Sequence, residues 1–273
     1  MKRCFFSEEG PLSPGGPFFI GILNITPDSF SDGGRFLAPG MALAQALKLV
    51  ASGARMLDIG AESTRPGAAV VPWLEEWERL EPVISTLQEN LPGIPLSLDT
   101  RHVRVAAKGL DAGISVLNDV AGFSGPGMLE LAMSSDCGLI AMRSRMKDGL
   151  LWMPEYSDSA PHSVDLALSE LRHVRDRLLG SNIEPERILL DPGFGFGTTY
   201  AEDSALWGLL PEIPALLSWP HERFCLGISR KRFLAWRNGT PALPPIDRDG
   251  LTDLAHQEAV SMGYRIFRTH ELP

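Results

Sequence analysis

Polar residues recur where short apolar runs end. Asn24 closes FFIGILN, Asp58 lies in RMLDIG, Asp99 closes IPLSLD, and Asn118 lies in SVLNDV. Arg143 closes GLIAMR, Asp191 lies in RILLDPG, Ser229 closes FCLGIS with Lys231 just beyond, and Arg268 and His270 lie in YRIFRTH. Asp99, Asn118 and Asp191 supply acceptors and an amide, which suit a flat heterocycle with N–H and NH2 edges. Lys231, Arg268 and His270 supply cations, and an arginine forks well onto phosphate. These residue types describe a ligand with a polar ring and an anionic tail. A single Asp at such a position is more often a turn former or a helix cap. Repetition across eight runs is not explained by turn chemistry.

The elements that would hold them are eight short strands alternating with amphipathic segments, the pattern of repeated βα units around a parallel sheet. MALAQALKLVASG reads as a helix ended by Gly53, and PWLEEWERLEPVISTLQEN spaces Trp73, Trp77, Leu80, Ile84 and Leu87 as a packing stripe. Further helices are expected in HVRVAAKGLDAG, GMLELAMSS, SVDLALSELRHVRDRLLG, YAEDSALWGLLPEIPALLS and DGLTDLAHQEAVSMG. Seven helices for eight strands predict a (β/α)8 TIM barrel, one domain over residues 1–273 with an N-terminal extension at 1–16, whose C-terminal eighth helix is missing. All strand C-termini of such a barrel open onto one face, so the polar tips converge there. The long loop 143–163 and the Pro-rich NGTPALPPIDRDG follow strand ends on that same face.

Composition excludes several classes. Lys and Arg total 25 against 34 Asp and Glu, a net charge of −9, which gives no general basic surface for nucleic acid or an anionic membrane. Cys4, Cys137 and Cys225 stand far apart, without metal or disulfide spacing. No run reaches the roughly 20 apolar residues of a membrane span, and Glu8 and Glu9 interrupt any signal-peptide core, so a cytoplasmic protein is expected. DPGFGFGTT spaces its glycines as GxGxG on the sixth strand, unlike a dinucleotide fingerprint, and its Phe196 reads by itself as packing. No HExxH, no GxSxG and no cysteine beside a base is present.

The stretches GILNITPDSFSDGG, DIGAESTRPGA, LSLDT, LNDV, LLDPGFGFG, GISRKRF and RTH, in that order, resemble the dihydropteroate synthase family from about residue 17 to about residue 270. The resemblance implies a barrel that joins 6-hydroxymethyl-7,8-dihydropterin diphosphate to 4-aminobenzoate and releases diphosphate. By position, it implies that Asp99, Asn118, Asp191 and Lys231 bind the dihydropterin ring. The resemblance likewise implies that Thr64 and Arg65 belong to a loop closing over the aminobenzoate and that Ser229, Arg230 and Phe196 line the aminobenzoate side, where sulfonamides also bind. It implies that Asn24 holds Mg2+ with the diphosphate and that Arg268 and His270 grip that leaving group. Asn24, Lys231, Arg268 and His270 are thus the expected catalytic set, acting by charge stabilisation and positioning without a nucleophile.

The resemblance implies a homodimer, whose surface in the family includes the terminal helix expected to be missing here. Arg143, Ser144 and Arg145 follow Met142 where the family has a Met-His-Met type motif, and Thr198 replaces a lysine. Two competing readings are a pterin-dependent methyltransferase and a catalytically weak pterin-binding paralogue serving as scaffold or subunit. The complete TPDSFSDGG and ESTRPGA loops and the SRK tip oppose the first.

Overall fold

The computed structural model describes residues 6, 16–25, 38–63, 70–147, 150–152 and 164–272. Eight parallel strands form its centre: β1 (Phe18–Asn24), β2 (Met56–Gly60), β3 (Leu96–Asp99), β4 (Val116–Asp119), β5 (Gly138–Met142), β8 (Ile188–Asp191), β9 (Cys225–Leu226) and β10 (Ile266–Thr269). They pair in the order β8, β5, β4, β3, β2, β1, β10, β9, and a Leu190–Phe224 bridge links β8, at one edge, to the residue just before β9, at the other. The sheet therefore closes as a barrel. A two-stranded antiparallel hairpin, β6 (Met146–Lys147) with β7 (Leu150–Leu151), lies in the long loop after β5.

Nine helices surround the strands among the described residues: α1 (Ala38–Ala51), α2 (Trp73–Asn90), α3 (Val103–Asp111), α4 (Met128–Ser134), α5 (Val164–Gly180), α6 (Tyr200–Leu209), α7 (Ile213–Leu217), α8 (Arg232–Arg237) and α9 (Asp249–Ser261). Two differ from the sequence expectation. YAEDSALWGLLPEIPALLS is not one helix, because Pro211 lacks the N–H that a continuing helix needs and its ring would clash with the carbonyl a turn earlier. It splits into α6 and α7. The short α8 follows the seventh strand tip directly, in a stretch before the Pro-rich loop to which no element was assigned, and buries Phe233, Leu234 and Ala235. Gly53 ends α1 at φ +106°, as its position predicts, and Trp77, Leu80, Ile84 and Leu87 pack inward from α2. No helix among the described residues is long and apolar enough to cross a membrane.

Period-2 alternation sorts the strands into two cores. Leu57, Ile59, Leu98, Leu117, Leu139, Leu190, Leu226 and Phe267 face the helices. Phe18, Ile20, Met56, Val116, Ile140, Leu189, Cys225 and Ile266 fill the barrel interior, and Phe6 joins them. The Phe6 ring comes so close to Gly138 that a Cβ there would sit 2.7 Å from it. The N-terminal segment thus contributes a residue to the barrel's apolar floor. Two residues further along β2, β3, β4, β8 and β10, the same alternation turns Asp58, Asp99, Asn118, Asp191 and Arg268 inward.

Candidate active site

Asp58, Asp99, Asn118, Asp191 and Arg268 occupy inward positions near the C-terminal ends of β2, β3, β4, β8 and β10. Arg268 bridges two of them, donating from Nε to Asp58 Oδ2 at 2.5 Å and from a terminal nitrogen to Asp99 Oδ2 at 2.5 Å. Asn118 donates its amide to the same Asp58 oxygen at 3.0 Å. Asp58 is fully buried, and its Oδ1 has no partner among the described residues. Two glycines keep the mouth open. A Cβ on Gly227 would stand 2.9 Å from Asp191 Oδ2, and one on Gly60 would stand 3.2 Å from Asp99 Cβ.

Crowding charges in a partly desolvated mouth shifts their titration. Burial pushes the Asp99 carboxyl up to about 7; Arg268 opposes this and the Asp58 charge adds to it. Burial also raises Asp191, against the Gly193 N–H bond and the Lys231 charge. Lys231 is lowered to about 8 by burial, with Asp191 and Asp203 acting the other way.

Ser229 and His270 meet across β9 and β10, with His270 Nδ1 3.0 Å from Ser229 Oγ and the His270 N–H donating to that oxygen at 3.1 Å. Burial, followed by the Arg230, Arg268 and Lys231 charges, holds the His270 imidazole down to about 3. The expected third cation is therefore neutral at pH 7, and Lys231 and Arg268 carry the positive charge. Arg230 adopts φ +58°, and its guanidinium forks onto Asp249 at the start of α9 at 2.6 and 2.7 Å.

The loop between β8 and α6 carries Phe196, whose ring lies 3.8 Å from Lys231 Nζ. Cation–π contact of this kind uses the ring as a wall and the lysine as its neighbour. Gly195 donates to Asp203 Oδ1 at 3.1 Å, and Thr198 donates to the same oxygen at 2.7 Å. Thr199 and Glu202 then close a reciprocal capping box at the start of α6. Arg143, expected at the mouth, turns instead into this loop's support. It is 1% exposed and donates to the Pro192 and Gly193 carbonyls, both at 2.8 Å, and to Glu170 of α5 at 3.2 Å.

The structure brings Asp99, Asn118, Asp191, Lys231 and Arg268 to one mouth, with Ser229, His270 and Phe196 on one side. Asn24, half-exposed, ends β1 in register with Gly60. Thr64 and Arg65 lie outside the described residues. Their loop begins after Glu62, which Arg101 grips at 2.8 and 3.0 Å and which accepts the Val71 N–H at 3.2 Å. Sequence reasoning placed Asp58 at a strand tip but gave it no partner, noted Arg145 only as a departure from the family's motif without giving it a role, and missed Asp203 and Gly227. An acidic pair in the first turn after Thr199 was the available signal for Asp203; for Gly227, and for what Arg145 holds, only packing supplies one.

Comparison with known proteins gives a consistent neighbourhood. The family model described as pterin binding enzyme matches residues 20–270. A dihydropteroate synthase of Neisseria meningitidis serogroup C is 36% identical over 94% of this chain and 88% of its own length. The Xanthomonas albilineans dihydropteroate synthase solved with 4-aminobenzoic acid superposes with TM-score 0.79 at 35% identity, covering 94% of this chain and 88% of its own. The Burkholderia cenocepacia enzyme complexed with 7,8-dihydropteroate gives TM-score 0.77 at 33% identity, over 94% and 86%.

Proposed function

The chain belongs to the dihydropteroate synthase family of pterin binding enzymes, and we propose that its barrel mouth joins 6-hydroxymethyl-7,8-dihydropterin diphosphate to 4-aminobenzoate. The observation that carries this reading is the inward row of Asp99, Asn118 and Asp191 beside Lys231, set above an apolar floor. Acceptors and an amide converging above that floor match the N–H and NH2 edges of a pterin.

In the reaction, the bond from the pterin methylene carbon to the diphosphate oxygen breaks, and the diphosphate leaves with the electron pair. The aminobenzoate nitrogen forms the new C–N bond and gives one proton to solvent. Asp99, Asn118 and Asp191 hold the ring and favour it as positive charge develops. Arg268, fixed by fully buried Asp58, stands as a preoriented cation for the leaving group, and neutral His270 offers it a hydrogen bond. Ser229 and Phe196 bound the side from which the amine approaches, and Thr64 and Arg65 are assigned to the loop that closes it. Orientation of the two reactants supplies the rest of the acceleration.

Asn24 contributes one neutral oxygen at a half-exposed tip. Among the described residues no group of three or more His, Cys, Asp or Glu side chains could hold a metal ion. That donor set fits a magnesium ion that arrives on the diphosphate and retains most of its water. Asn24 would hold it, and the ion would neutralise charge on the departing oxygens. The test is to incubate purified protein with both substrates and Mg2+ and to follow dihydropteroate and diphosphate together. Equimolar appearance of the two is expected. Pterin binding without product would point to the scaffold reading instead.

A further inference from the structure

The loop after β5 carries two arginines, and they clasp the β8–α6 loop from both ends. Arg143 holds its start, at the Pro192 and Gly193 carbonyls. Arg145 holds its far end, donating to the Gly197 carbonyl at 2.7 Å, to Glu202 of α6 at 2.8 and 3.1 Å, and to Glu170 of α5 at 2.8 Å. The fit is close. Gly197 has φ +79°, and a Cβ there would lie 2.6 Å from Arg145 Cβ. Glu202, 2% exposed, serves Arg145 and the capping box with Thr199 at once.

Between the two clasped ends stands Phe196, flanked by Gly195, fixed by Asp203, and Gly197, fixed by Arg145. Its backbone N–H donates to Gly193 O at 3.1 Å, and its ring meets Lys231 Nζ. Glycines on both sides leave the backbone free to swing unless its carbonyls are tied. Arg145 is the side chain that ties the one next to Phe196.

We infer that Arg145 is a positioning residue of the aminobenzoate side: by pinning Gly197 to α5 and α6, it holds the Phe196 ring against Lys231 and so fixes the aromatic wall that the amine substrate meets. This rests on the assignment of that side of the mouth to aminobenzoate. A wall shared by ground state and transition state contributes to binding more than to the chemical step, so its loss raises KM and leaves kcat nearly unchanged.

The experiment is a double-mutant cycle between Arg145→Ala and Phe196→Ala on the full chain, read as separate kcat and KM values for each substrate. Arg145→Ala is expected to raise KM for aminobenzoate about tenfold, with kcat and the pterin diphosphate KM changed less than about threefold. Arg145→Lys keeps the charge but not the fork, and its KM should fall between those of the wild type and Arg145→Ala. In the Phe196→Ala background, replacing Arg145 should add little, because both act through one ring. If Arg145→Ala does not fold, as read by circular dichroism, the same cycle is run with Arg145→Lys. Multiplicative effects on KM, or a fall in kcat with KM unchanged, overturn the inference while leaving the synthase reading intact. A wild-type protein that makes no dihydropteroate overturns both.

Discussion

Arg268 shows how one side chain can serve stability and chemistry together. From its type it suits an anionic tail, which the family resemblance makes the leaving group, yet the structure engages it with Asp58 and Asp99. Removing one partner from a buried pair leaves an uncompensated charge, so Arg268→Ala should destabilise the fold by about 3–5 kcal/mol in urea titration as well as depress turnover. Adding Asp58→Asn should recover part of the stability and none of the activity; recovery of both would refute the dual role. The neighbouring groups predict a pH profile. Asp99 titrates near 7 and Lys231 near 8, so kcat/KM for the pterin diphosphate should rise through the first value and fall through the second. Asp99→Asn should abolish the acid limb at reduced activity, and Lys231→Arg should abolish the alkaline one.

The loop between β8 and α6 is the element whose local chemistry matters most. Gly193 has φ +69°, and a Cβ there would lie 1.9 Å from the Arg143 carbonyl. Gly193→Ala should therefore cost at least about 2 kcal/mol and displace Phe196, visible as a lowered melting temperature together with a raised aminobenzoate KM. Thr199→Ala removes only half of a capping box and should cost about 1 kcal/mol. Strands, the Gly53 stop and the Trp77–Leu87 stripe were legible because period and turn chemistry act within a few residues. Pro211 was legible too, but it was overridden in reading by the apolar pattern around it. Arg143 was misplaced for a deeper reason: strand periodicity ends at Met142, and beyond it only contacts with Glu170, Pro192 and Gly193 decide where the side chain turns.

The closed barrel couples parts of the chain that are far apart in sequence. Phe6, 1% exposed, completes the apolar interior beneath the polar mouth. Phe6→Ala should cost about 3–5 kcal/mol through the cavity it leaves, measurable by chemical denaturation. His256 of α9 is buried between Phe19 and Phe267, with neither ring nitrogen partnered among the described residues, and burial lowers it to about 4. The unfolded chain binds that proton more readily, so the stability His256 allows is present above about pH 6.5 and is lost as pH falls towards 4. His256→Phe should flatten the fall in melting temperature between about pH 7 and about pH 5. By itself the sequence determined the eight-stranded alternation, the family and the polar strand tips, since each is written in residue type and spacing over short distances. Only the tertiary structure decided which tips face one another, that Asp58 anchors Arg268, that His270 stays neutral, and that Arg145 reaches Gly197. Those outcomes depend on burial and on distances across the barrel, which no local pattern encodes.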